Sequence, residues 1–148
     1  MSLATDSIFI AAIQSNPALV ERIGGRLYGT AIPLPDEDAD NTPVPYIIVT
    51  FDGMNNQNQT KDDVYEGSYD TVNIGIEVTG ETIKDLHELT QAVRDTILSY
   101  FREHETAVSD YTFSADAIQY DSLKPCYWQT LRYQCEVYNL EDNDDGQG

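Results

Sequence analysis

The chain has 148 residues and a formal charge of −18, from eight Lys and Arg against 26 Asp and Glu. Its length makes one domain the expectation and supports a core without disulfides or metals; its charge excludes binding nucleic acid, or an anionic membrane surface, through a basic face. No apolar run approaches the ~20 residues of a membrane span, and the short apolar stretch Ser7–Ile13 lacks a basic leader and a cleavage site, so the expected compartment is the cytoplasm.

Ala4 to Gln14 reads as a first helix, with Ile8, Phe9, Ala12 and Ile13 as its apolar stripe. Asn16-Pro17 has the form of a cap followed by a first helical residue. A short second helix, Ala18 to Ile23, then ends at Gly24-Gly25. Arg26-Leu27-Tyr28 reads as a brief strand. Gly29 to Pro45 carries Pro33, Pro35, Pro43 and Pro45, which excludes a central strand or helix. Tyr46 to Phe51 is β-branched and aromatic and reads as a strand. Asp52 to Asp63 is polar, with the run Asn55 to Gln59, and reads as a long exposed hairpin loop.

The next stretch organises the chain. In Tyr69 to Val78 the residues Val72, Ile74, Ile76 and Val78 alternate with polar ones, as a strand with one buried face requires. Thr79-Gly80 breaks the period. Ile83, Leu86, Leu89, Val93, Ile97, Tyr100 and Phe101 then recur at steps of three and four, the stripe of a long helix capped by Thr82, with Asp85 in its first turn. Thr112 to Tyr120 is a weakly patterned strand and Asp121 to Pro125 a turn. Tyr127 to Tyr138 alternates again, with Leu131, Tyr133, Cys135 and Val137 on one face and Trp128, Arg132, Gln134 and Glu136 on the other. The expected fold is α+β, a mainly antiparallel sheet packed against one long and one or two shorter helices. The domain is expected to span 1–139, with an acidic flexible tail at 140–148.

Chemistry finds little footing. Asp36, Asp38 and Asp40 open like a calcium loop, but Asn41 replaces the glycine and Ile47 the closing glutamate. His87 and His104 share one helix about 25 Å apart and cannot share a metal. Cys126 and Cys135 lie about 30 Å apart on opposite faces of one strand, which excludes a bridge between them and predicts free thiols. There is no nucleophile elbow, no HExxH and no phosphate loop, so the expectation is a protein that is not an enzyme and uses no cofactor or metal. Ten tyrosines stand out. Tyr127 and Tyr133 read as core. Tyr65, Tyr69, Tyr120, Trp128 and Tyr138 read as an outer sheet face, either a subunit contact or partly covered by loops.

Three segments together carry a resemblance: Leu19 to Tyr28 (Leu-Val-Glu-Arg-Ile-Gly-Gly-Arg-Leu-Tyr); Pro45 to Val49 (Pro-Tyr-Ile-Ile-Val) after a proline-rich link; and Val72 to Val78 (Val-Asn-Ile-Gly-Ile-Glu-Val) running straight into the helix from Leu86 to Ile97. In order and spacing, from Ile8 to Tyr138, the chain resembles the small tail-completion proteins of tailed phages and prophages, similar to the tail terminator that caps the tail tube. None of these segments is catalytic. The resemblance implies an α+β subunit of a hexameric ring that touches the tail tube and the head connector, binds neither nucleic acid nor membrane directly, and is found in the bacterial cytoplasm during assembly and then in the virion tail or neck. It makes the loops 29–45, with Asp36 and Asp38, and 52–63, with Asn55 and Asn56, candidates for contact with neighbours. It also implies an acidic lumen that repels DNA and lets it slide, an idea that acids on the ring exterior would contradict. The Asn/Gln-rich loop and the acidic tail match nothing in the family. The alternative from another class is an acidic DNA mimic that inhibits a DNA-binding host protein. A mimic presents carboxylates at phosphate-like spacing on a rigid surface, whereas these acids gather at 36–40, 62–66 and 141–145, in turn-like or terminal stretches.

Overall fold

The alternation around Ile74 belongs to the longest ladder of the sheet. The computed structural model describes residues 2–29, 43–56 and 69–138. It places strand β3 at Tyr69–Gly80 and strand β6 at Cys126–Tyr138. The two run antiparallel, from Tyr69 opposite Tyr138 to Gly80 opposite Tyr127. Strand β2 (Ile47–Asn56) pairs antiparallel with the other side of β3, and the two-residue β1 (Leu27–Tyr28) lies parallel to β2. Strands β4 (Val108–Ala115) and β5 (Gln119–Asp121) share the far side of β6. The order is β1-β2-β3-β6-β4, a mixed, mostly antiparallel sheet of six strands. Three helices accompany it among the described residues: α1 (Thr5–Gln14), α2 (Pro17–Arg22) and α3 (Ile83–Glu103). The chain is therefore α+β, as expected.

All three helices cover one face of the sheet. Ile47 and Val49 of β2, Val72, Ile74, Ile76 and Val78 of β3, and Leu131, Tyr133, Cys135 and Val137 of β6 are buried against Phe9, Ile10 and Ile13 of α1 and Leu86, Leu89, Val93 and Ile97 of α3. Tyr133 sits in an aromatic group, with ring centroids 5.1 Å from Phe9, 5.1 Å from Phe113 and 5.5 Å from Tyr111. Local signals fix the helix ends. The Asn16 side chain accepts from the Leu19 amide at 3.2 Å, ahead of Pro17. The Thr82 hydroxyl accepts from the Asp85 amide at 3.0 Å. Gly24 and Gly25, with φ of 63° and 74°, adopt the left-handed turn that stops α2. Arg22 then clips α2 to α3 through Glu88 at 2.7 Å and Asp85 at 3.8 Å.

Several local expectations need correction. The strand after Tyr46 runs on to Asn56 where a loop from Asp52 was expected. Met54, Asn55 and Asn56 find partners in Val72, Thr71 and Asp70, past a register shift at the positive-φ Gly53. Asparagine is a poor strand former, but an adjacent long strand overrides that preference. Thr79-Gly80 continues β3 because the Thr79 hydroxyl donates to the Tyr46 carbonyl and accepts from the Tyr46 amide. The single strand expected at Thr112–Tyr120 is two, β4 and β5, separated at Asp116–Ile118. The stripe of α1 uses Ile10, 5% exposed, where Ile8 was expected and is only half-buried. Ile83, expected in the α3 stripe, is 45% exposed, being turned about 60° from Leu86 around the helix axis. The free cysteines agree with expectation, and both are buried.

The Tyr133 hydroxyl is buried without a hydrogen-bond partner among the described residues, and burial pushes its pKa well above the usual phenol value. Tyr133→Phe removes a desolvated polar atom without opening a cavity, so unfolding stability should rise by about 1 kcal/mol. Phe9→Ala, which empties the same cluster, should lower it by about 3–5 kcal/mol. Urea unfolding of the two variants checks both; a loss on Tyr133→Phe comparable to that on Phe9→Ala would show that the hydroxyl is bonded.

Candidate functional site

The sheet face opposite the helices and the two ends of the sheet are the described surfaces on which a function can rest. Among the described residues no group of His, Cys, Asp and Glu is arranged to hold a metal ion. No described helix is long and apolar enough to cross a membrane.

Alternation sends Thr50, Asn73, Thr112, Ser114, Arg132 and Gln134 to the face opposite the helices. There all but Thr50 border a shallow depression of about 390 Å³ together with Asp52. Arg132 grips Asp116 with two parallel hydrogen bonds, Nε to Oδ1 at 2.9 Å and Nη2 to Oδ2 at 2.7 Å, and lies 3.6 Å from Asp52. The guanidinium holds the Asp116 carboxyl below the usual carboxylate range. This arrangement neutralises its one cation and leaves a polar, nearly flat surface.

The residues expected to form an interface do not form one patch. Tyr69 and Tyr138, facing each other across β3 and β6 with centroids 4.9 Å apart, lie at one end of the sheet. Asn55 and Asn56 are exposed on the strand beside them, and the Asn56 amide donates to Asp70. Tyr120, 55% exposed and 5.0 Å from Tyr127, and half-buried Trp128 lie at the other end. Ten residue steps along β6 separate Trp128 from Tyr138, about 33 Å. Tyr65, Asp36 and Asp38 lie outside the described residues, as does the segment 140–148. His87 is exposed. His104 caps α3, its ring stacked on Tyr100 at 4.2 Å.

The Trp128 end holds residues that the sequence reading passed over. Leu123, 95% exposed, is the tip of the turn between β5 and β6. Asp121 shapes that turn by accepting from the Leu123 and Lys124 amides. Lys124 reaches back over the Tyr46 ring at 5.1 Å, and Tyr28 lies 6.4 Å from Tyr46. An apolar residue inside an Asp-x-x-Lys-Pro turn was the available signal.

Partial burial, assisted by Glu77, pushes the Tyr46 phenol from 10.0 up to about 12. A proton held more tightly in the folded state stabilises the fold fully below the unfolded pKa, and that contribution is lost as pH rises through the folded one. Stability should therefore fall between about pH 10 and 12, with Tyr133 acting in the same direction, and Tyr46→Phe should flatten part of the fall. Urea midpoints across this range check it; unchanged slopes in the variant would contradict the assignment.

Neither a protein-family model nor a curated protein matches the sequence. Among solved structures the chain is similar to one in the virion of a native gene transfer agent particle. The TM-score is 0.57 at 12% sequence identity, over 88% of this chain and 92% of that one. At that identity the likeness establishes a shared fold along most of both chains.

Proposed function

We propose that this chain is a structural subunit of a phage-type virion, a tail-terminator-like protein of the head–tail junction that caps the tail tube and contacts the head connector. The observation that carries this reading is the fold shared with a chain of a gene transfer agent virion over most of both lengths. The polar, neutralised outer sheet face and the separated aromatic ends of the sheet suit a subunit with neighbours on more than one side, without catalysis or cofactor. Six copies form the ring in this reading, and its acids line a channel through which DNA slides.

Subunits carrying −18 each repel one another, and salt shortens the reach of that repulsion from about 10 Å at 0.1 M to about 3 Å at 1 M. Light-scattering mass measured in low and in high salt should show a monomer giving way to a species near six subunits. A chain that stays monomeric in every salt, and also beside a tail-tube protein, would overturn the proposal.

A further inference from the structure

The exposed side of α3 is divided by charge. Asp85, Glu88, Asp95 and Glu103 fall on one stripe at helical spacing. This stripe faces α1 and α2, where Arg22 neutralises the first two acids. His87, Arg94 and Arg102, with Gln91 and Leu98 between them, fall on the other stripe, beside β4. The Arg94 guanidinium lies 4.4 Å over the Phe113 ring, and the charges of Arg94 and Arg102 both reach the Tyr111 hydroxyl. Neither arginine forms an ion pair with a described residue. A groove of about 350 Å³ runs here between α3 and the sheet, lined by His87, Gln91, Arg94, Phe113, Ile118 and Leu131 among others, with no carboxylate among the described residues that line it. In a chain with 26 acids, it is a positively charged groove without a described carboxylate in its lining.

The groove adjoins a strand edge. β4 is the last strand of the sheet order, and its outer side pairs with no strand among the described residues. From Tyr111 to Ala115 it carries no charge, proline or lysine, the devices that ordinarily block addition of another strand. An open edge supplies backbone hydrogen bonds, Phe113 and Ile118 supply an apolar floor, and Arg94 and Arg102 supply positive charge. Together these select an extended acidic peptide. A nucleic acid is the poorer match, because it cannot use the strand edge and meets −18 elsewhere.

The chain contains such a peptide in residues 139–148, Asn-Leu-Glu-Asp-Asn-Asp-Asp-Gly-Gln-Gly, with four acids and one large apolar residue. Ten residues span up to about 33 Å, more than the about 17 Å of the uncharged stretch Tyr111 to Ala115, which follows the register shift and Asp110 at the start of β4. We infer that segment 139–148 of a second copy docks along the β4 edge beneath Arg94 and Arg102. The inference rests on the ring proposed above. A contact between two different surfaces of like subunits is the kind that closes rings, and this one gives mutually repelling subunits an attractive contact.

The test titrates a fluorescein-labelled 139–148 peptide into the full chain in low salt, with hydrogen–deuterium exchange read on the same samples. The expected result is saturable binding that weakens about tenfold or more in R94E/R102E, with new protection at Tyr111 to Ala115. R94Q/R102Q, which removes both charges without adding acids, should weaken binding in the same direction, and E103K should not weaken it. Absence of binding, binding indifferent to both arginine pairs, or protection elsewhere overturns the docking. Equal, arginine-dependent binding of a short single-stranded DNA also overturns it, by making the groove a general polyanion site. Solution mass separates the two proposals. Peptide binding by a chain that never forms a ring retains the docking and removes the ring, whereas a ring of unchanged mass in R94E/R102E removes the docking and retains the ring.

Discussion

The ladder between β3 and β6 is the constraint on which the other elements depend. Its twelve residue pairs, Tyr69–Tyr138 through Gly80–Tyr127, join strands separated in sequence by the whole of α3 and the β4–β5 edge. Because side chains alternate along a strand, this single register decides which residues meet the helices. A slip by one residue would turn Leu131, Tyr133, Cys135 and Val137 to solvent and bring Arg132, Gln134 and Glu136 inward. The buried strength of the molecule is concentrated where register is most specified. The flanking strands β1, β4 and β5 contribute fewer buried groups and are correspondingly free to serve other purposes.

The sequence is most legible where burial is one-sided and periodic. Val72 to Val78 and Leu86 to Ile97 could be assigned without a structure because each alternate or fourth residue had to be apolar. Cap residues were equally readable, since Asn16 and Thr82 act on amides three residues away. Legibility fails at half-covered edges. Residues of β4 are half-buried or exposed throughout, so periodicity blurred and two strands merged into one. Asn55 and Asn56 misled because local preference says loop, while their partners Thr71 and Asp70 lie beyond the intervening 57–68 segment. The described candidate interface residues divide between the two ends of the sheet for a related reason. Exposed aromatics can be counted in a sequence, but only the register shows that Tyr138 and Trp128 sit at opposite ends of one strand.

Charge tells a similar story at a larger scale. A net value of −18 describes the solubility of the chain but not its local surface. Steps of seven and eight along one helix place two arginines, neither in an ion pair with a described residue, beside an edge strand while acids occupy the adjacent stripe. That segregation was present in the spacing of His87, Arg94 and Arg102, yet it gained meaning only once β4 was known to lie beneath it. Net charge governs how closely two copies approach, and charge placement governs which way they face when they do.

The central position of β6 also bears on synthesis. β6 is the last element of the described fold, but it is the interior strand that joins β3 to β4 and β5. A ribosome releasing about 5–20 residues per second therefore exposes β2 and β3 for a few seconds with an unfilled slot between them and the strands that follow. During that interval one long side of β3 is an unpaired edge bearing Val72, Ile74, Ile76 and Val78 on one face. Only when Cys126 to Tyr138 emerges does the sheet become continuous, so the domain closes in a single late step rather than growing outward from its amino-terminal part.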